Sequence, residues 1–118
     1  MRKLTQSRTG ENGNCFATSL ASILETRVPE FGIDVPEDTY WSNVSRWLAR
    51  FGLKYVRVPI RKGLEPVGWG TLEGVSPRGG LHAVVAYNGK MVHDPHPVAD
   101  DPRRGLVEPR WYGLLEKL

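Results

Sequence analysis

A chain of 118 residues is sized for one domain, and 40% hydrophobic with 25% charged residues is an ordinary globular composition, which excludes wholesale disorder, collagen and coiled coil. The net charge of +3 comes from charges of both signs scattered along the chain, without the dense basic run of a nucleic-acid surface. No apolar run is long enough to span a bilayer, and Met1-Arg2-Lys3-Leu4 leads into polar residues rather than a signal-peptide core, so neither nucleic acid nor membrane is an expected partner.

In chain order, an extended arm ends in the loop Thr9-Gly10-Glu11-Asn12-Gly13-Asn14. Phe16, Leu20, Ile23 and Leu24 then recur at helical spacing, with Ala17 and Ala21 beside them, predicting a helix over about 15–25 capped by Asn12 or Asn14. Thr18 and Ser22 fall on its polar side as hydrogen-bonded, non-catalytic residues. After a loop through Pro29, a second helix is predicted from an Asp38 or Thr39 cap to Phe51, with Trp41, Val44, Leu48 and Phe51 as its apolar stripe and Gly52 just beyond its end. Leu53 to Val58 alternates as a strand and stops at Pro59. Further strands are predicted near Val67–Val75, Leu81–Tyr87, Lys90–Asp94 and Arg110–Leu115, and Asn88-Gly89 marks a hairpin between the third and fourth. Two helices followed by a meander of strands define an α+β fold with the helices segregated from an antiparallel sheet.

The chain holds one cysteine, so an internal disulfide is excluded and a reducing, cytoplasmic setting is the simplest expectation. Cys15 falls in the first turn of the first helix, where unpaired backbone N–H groups favour a thiolate and could hold the oxyanion formed when sulfur attacks a carbonyl. Gly13 beside it allows close approach of a substrate backbone. A cysteine nucleophile needs a base, and the base an orienting group. His82 opens the hairpin and Asp94 closes it. A tight two-residue turn would put Asp94 on the face opposite His82, whereas a three-residue loop with a glycine bulge would place them side by side; the bulged loop is the expectation. His93-Asp94-Pro95-His96-Pro97 also suggests a metal site, but His93 and Asp94 are adjacent in a strand and point to opposite faces, so no metal or other cofactor is expected.

Asn12-Gly13-Asn14-Cys15 opening a helix, His82-Ala83-Val84-Val85 opening a strand and Val92-His93-Asp94-Pro95 closing the next resemble the papain-like cysteine peptidase superfamily. The compact C39-like peptidases are the nearest flavour, and the histidine hairpin is also similar to that of NlpC/P60 peptidases. Small, often phage-encoded proteins of this type look similar over nearly the whole chain, including Ser76-Pro77-Arg78-Gly79. The resemblance implies a minimal papain-like domain over 1–118 with Cys15 as nucleophile, His82 as general base then acid and Asp94 as orienter. It further implies an oxyanion donor from Gln6, with Asn14 or Asn12 as substitutes.

Trp69, in a glycine-rich stretch, and Arg78, just before the histidine strand, are candidates to line a substrate cleft beside Gly13. The function expected is a cysteine-dependent hydrolase or acyl transferase acting on a peptide, an isopeptide or a small amide. The alternative is a non-catalytic binding protein on the same scaffold that sequesters a ligand or a host protein. A monomer or weak dimer is the expected state.

Overall fold

The computed structural model describes residues 1–10, 13–98 and 100–118. Its elements in order are the helices α1 (Cys15–Leu24) and α2 (Glu37–Ala49), then the strands β1 (Leu53–Pro59), β2 (Trp69–Val75), β3 (Leu81–Tyr87), β4 (Lys90–His93) and β5 (Glu108–Lys117). All strand pairs are antiparallel and form one sheet in the order β1-β5-β2-β3-β4. The fold class is α+β, with the cysteine-bearing helix packed on the sheet. Among the described residues no helix is long and apolar enough to cross a membrane.

The strands are not a simple meander. β5, the last in sequence, pairs with β1 on one side and β2 on the other. Its central position demands a close approach. The Tyr55 hydroxyl reaches Thr71 Oγ1 at 2.7 Å across Gly113, where any Cβ would collide with both side chains. Glycine is the one residue that lets β5 lie between these partners.

Helix ends also differ from the sequence reading. α2 begins at Glu37 because Pro36, in extended conformation, supplies the cap position and its carbonyl accepts the Tyr40 N–H. It stops at Ala49, whose carbonyl accepts the N–H of Gly52, a residue with φ of +72°. Phe51 therefore lies outside the helix and packs edge-on against Trp47. Asn14 holds the cap position of α1 without capping it through its side chain, and Asn12 lies outside the described residues.

The core is built around Phe16. Its ring meets those of Phe31, Tyr40, Trp41 and Tyr55 at centroid distances of 5.0–6.5 Å. Ala17, Leu20, Val44, Leu48 and Ala83 complete the buried cluster, with Leu53, Tyr55 and Leu115 packed against it. In the observed register Leu53, Tyr55, Ala83 and Leu115 share one face of the sheet, so the helices cover that face. Burying a ring of this size and its edge contacts fixes α1 firmly against β2 and β3.

Candidate active site

The geometry of the hairpin decides whether Asp94 can reach His82. The turn is the tight two-residue kind, with Tyr87 opposite Lys90 and positive φ at both Asn88 and Gly89. The expected three-residue loop is therefore absent. A register shift further along the strand compensates for it: Ala86 faces Met91 but Val85 faces His93, so Val92 is an extra residue in β4. One added residue reverses which face each later side chain takes. Continued past the strand end, this register puts Asp94 on the His82 face, and His82 Nε2 lies 2.7 Å from Asp94 Oδ1.

Asp94 is buried, and both of its oxygens are used. Oδ1 accepts from His82 and from the His96 backbone N–H at 2.9 Å, while Oδ2 accepts from the Gly105 N–H at 2.6 Å. Burial alone would raise its pKa, but these three donors outweigh it and hold the carboxyl well below the ordinary range. An ionised Asp94 can only accept, so His82 Nε2 carries the proton.

The loop that presents Asp94 is clamped by Arg104. Its guanidinium donates to the carbonyls of Asp94 at 2.6 Å and of His96 and Val98 at 2.8 Å each.

Cys15 lies beside His82 in the same cleft, close enough to bear on the charge of its ring. Since Nε2 serves Asp94, the nitrogen left for sulfur is Nδ1. Burial of His82 works against its charged form, but the bond to Asp94 and the neighbouring negative charge of Cys15 and Asp94 prevail, raising its pKa to about 9. Sulfur, imidazole and carboxylate thus stand in series. Cys15 is the first residue of α1, and the helical ladder opens with Thr18 N–H bonding to the Asn14 carbonyl at 2.9 Å, so the N–H of Cys15 precedes it.

A cleft passes over Cys15 and His82. On one side it opens into a cavity of about 600 Å³ lined by Gln6, Gly13, Ser76, Arg78 and His96. On the other lies a smaller hollow of about 170 Å³ walled by Tyr40, Arg57, Glu73 and Trp111. Arg57 sits 4.1 Å from the centre of the Trp111 ring, and its Nε is 3.4 Å from Glu73 Oε2. Burial, together with the neighbouring Glu73 charge, pushes the Tyr55 hydroxyl above its ordinary range, so it stays protonated and donates to Glu73 Oε2.

The residues singled out from sequence separate into two groups. Cys15, His82 and Asp94 come together, and Gly13, Gln6 and Arg78 line the cavity beside them. The Arg78 guanidinium donates to the Arg103 carbonyl at 2.5 Å, and Gln6 Nε2 donates to the Arg8 carbonyl at 2.7 Å. Asn14 is turned toward the N-terminal arm, with its Oδ1 accepting from Arg8 N–H and its Nδ2 donating to Ser7 Oγ. Trp69 stands at the far end of the sheet: it pairs with Tyr87, whereas His82 pairs with Gly74, and its ring packs on Tyr87 at 4.7 Å.

His96, Asp101 and Arg104 were not singled out as site residues by sequence, though His96 stood in the conspicuous His-Asp-Pro-His-Pro run. His93, the other histidine there, meets the Leu4 carbonyl through Nε2 at 2.6 Å and belongs to the packing of the arm. Among the described residues no group of three or more His, Cys, Asp or Glu side chains is placed to hold a metal ion. Comparison with protein-family models, curated proteins and solved structures finds no match for the chain.

Proposed function

We propose that the protein is a cysteine-dependent hydrolase or acyl transferase of peptidase or amidase type, on a papain-like scaffold. The observation that carries this reading is the placement of Cys15 beside His82, whose ring is hydrogen-bonded to the buried Asp94. Ionised Asp94 fixes the ring so that Nδ1 faces sulfur, and it stabilises the imidazolium that forms when His82 takes the thiol proton. The thiolate attacks an acyl carbon, forming the C–S bond and an oxyanion that accepts from the backbone N–H of Cys15, and the oxyanion then collapses, breaking the bond to the leaving group, which departs with a proton from His82. Water or an amine then attacks the thioester, again with His82 as base.

The test is acyl trapping. A mild acyl donor such as a p-nitrophenyl ester should acylate Cys15 alone, as read by intact-mass and peptide mass spectrometry. His82→Ala should slow that step by at least about 10³-fold, in line with loss of a general base to a nucleophile. Equal acylation rates in the two proteins would refute the hydrolase reading.

A further inference from the structure

The cleft holds an arginine on each side of Cys15 and His82, and the two differ in how their charge is met. Arg57 lines the smaller hollow, where Glu73 Oε2 lies 3.4 Å from its Nε and the Trp111 ring covers one face. Arg78 lines the larger cavity and forms no ion pair with any of the described residues. No aspartate or glutamate lines that cavity among the described residues.

Arg78 is held at both ends. Its backbone belongs to the turn between β2 and β3, where its N–H donates to Oγ of the buried Ser76 at 3.0 Å. The Gly79 N–H donates to the Ser76 carbonyl at 2.9 Å, and the Ser76 N–H to the Gly80 carbonyl at 3.0 Å. β3 begins at Leu81, so this turn leads directly into the strand that carries His82. At the far end Nη1 donates to the Arg103 carbonyl, in the loop that presents Asp94. The guanidinium thus ties together the two segments that supply the imidazole and its carboxylate. Its Nε and Nη2 hydrogens meet no acceptor among the described residues. These two nitrogens form one edge of the planar group, and that edge matches the two oxygens of a carboxylate. A guanidinium anchored by Nη1 with this edge unpaired is preorganised for such a ligand.

Size and charge point the same way. The cavity on the Arg78 side is about 600 Å³ and the hollow on the Arg57 side about 170 Å³, so the larger part of a substrate extends toward Arg78. The thiolate and imidazolium of the reacting pair cancel in charge, which leaves Arg78 to set the sign of the field and disfavours a cationic group. Resting on the hydrolase reading above, we infer that the protein acts on acyl substrates that carry a carboxylate, which accepts from Arg78 Nε and Nη2. The carboxylate is the free end of a peptide or an acidic side chain, which present the same two oxygens. A neutral carboxamide offers one oxygen and leaves the cation unneutralised.

The test pairs carboxylate and carboxamide forms of one alkylating reagent on the full chain at pH 9. An ordinary thiol is largely ionised there, so labelling needs no help from His82, and Cys15 is the only cysteine to label. N-iodoacetyl-glycine and N-iodoacetyl-β-alanine imitate a peptide end, and the α-methylamide of N-iodoacetyl-glutamate imitates an acidic side chain. Each is compared with its primary amide, with rates read by intact-mass spectrometry and normalised to those on 2-mercaptoethanol. At least one carboxylate should label Cys15 about 10-fold or more faster than its amide. Arg78→Gln should abolish that preference, and Arg78→Lys should keep only part of it, because an ammonium restores the charge without the planar edge. A purely structural role would slow both members of a pair alike and leave their ratio unchanged. Equal rates within every pair, or a preference that survives Arg78→Gln, would overturn the assignment. Should Arg78→Gln fail to fold, Arg78→Lys and the reagent pairs still decide. A preference in the glycine or β-alanine pair identifies a peptide end, and one in the glutamate pair an acidic side chain. If acylation of Cys15 depends on His82 but no carboxylate is preferred, only the subsite fails. A carboxylate preference without that dependence refutes only the hydrolase reading.

Discussion

The two walls of the cleft are held in different ways. The wall made by α1, α2 and β1 is aromatic: Phe16, Tyr40, Trp41 and Tyr55 meet ring to ring, and the Tyr55 hydroxyl donates to Glu73 and shares a second hydrogen bond with Thr71. The wall made by the chain leaving β4 has little regular structure, since residues 94–107 form neither helix nor strand in their described part. It is held by directional bonds: three carbonyls on Arg104, two backbone N–H groups and an imidazole on Asp94, and His96 on Asp101. Packing spreads its stabilisation over many weak, non-directional contacts. A hydrogen-bonded loop concentrates its stabilisation in a few atoms, but fixes the position of a carboxylate far more narrowly.

Paired substitutions sharpen that contrast. Phe16→Ala should be the most damaging to stability, costing about 3–5 kcal/mol for a buried ring, as read by chemical denaturation. Arg104→Lys should cost less, about 1–3 kcal/mol, because one ammonium cannot span three carbonyls as the guanidinium fork does. The order reverses for chemistry. Phe16→Leu, which keeps most of the packing, should leave the acylation rate of Cys15 within a few fold, whereas Arg104→Lys should slow it more by loosening Asp94. Should the leucine variant be the slower of the two, the division between a packing wall and a positioning wall would be broken.

The smallest expected effect is on stability against pH. The folded state raises the pKa of His82 from 6.5 to about 9, so its contribution is fully present below 6.5 and fades as pH rises through 9. Asp94 shifts the other way, so its contribution is present above its unfolded pKa of 3.8 and is lost as pH falls below that value. The thermal midpoint should therefore decline between pH 6.5 and 9 more steeply in the wild type than in His82→Gln. Parallel slopes would mean that the His82–Asp94 bond does not stabilise the charged ring.

What was legible in the sequence was local. Helical spacing from Phe16 to Leu24, the Asn88-Gly89 turn and the alternation in β1 depend on neighbouring residues, and they place the elements within a few positions. The insertion of β5 between β1 and β2 depends on partners far along the chain, and its sequence traces, Gly113 under the Tyr55–Thr71 hydrogen bond and Gly70 and Gly74 facing β5, carry no sign of their purpose until those partners are known. The hairpin shows the same limit. The sequence required an extra residue for Asp94 to face His82, and the fold contains one, but at Val92 within the strand rather than in the turn. Nothing in the sequence singles out Asp101 or Arg104, yet they brace His96 and Asp94 from behind.

The account depends above all on His82 acting on the Cys15 sulfur, and alkylation against pH tests this most directly. Iodoacetamide labelling of native protein between pH 5 and 10 should be rapid well below pH 8, because a proton held by His82 sustains the thiolate, and His82→Ala should lose that low-pH reactivity while keeping its rate at pH 10. A wild-type profile that rises only above pH 8 and overlays that of His82→Ala would contradict it.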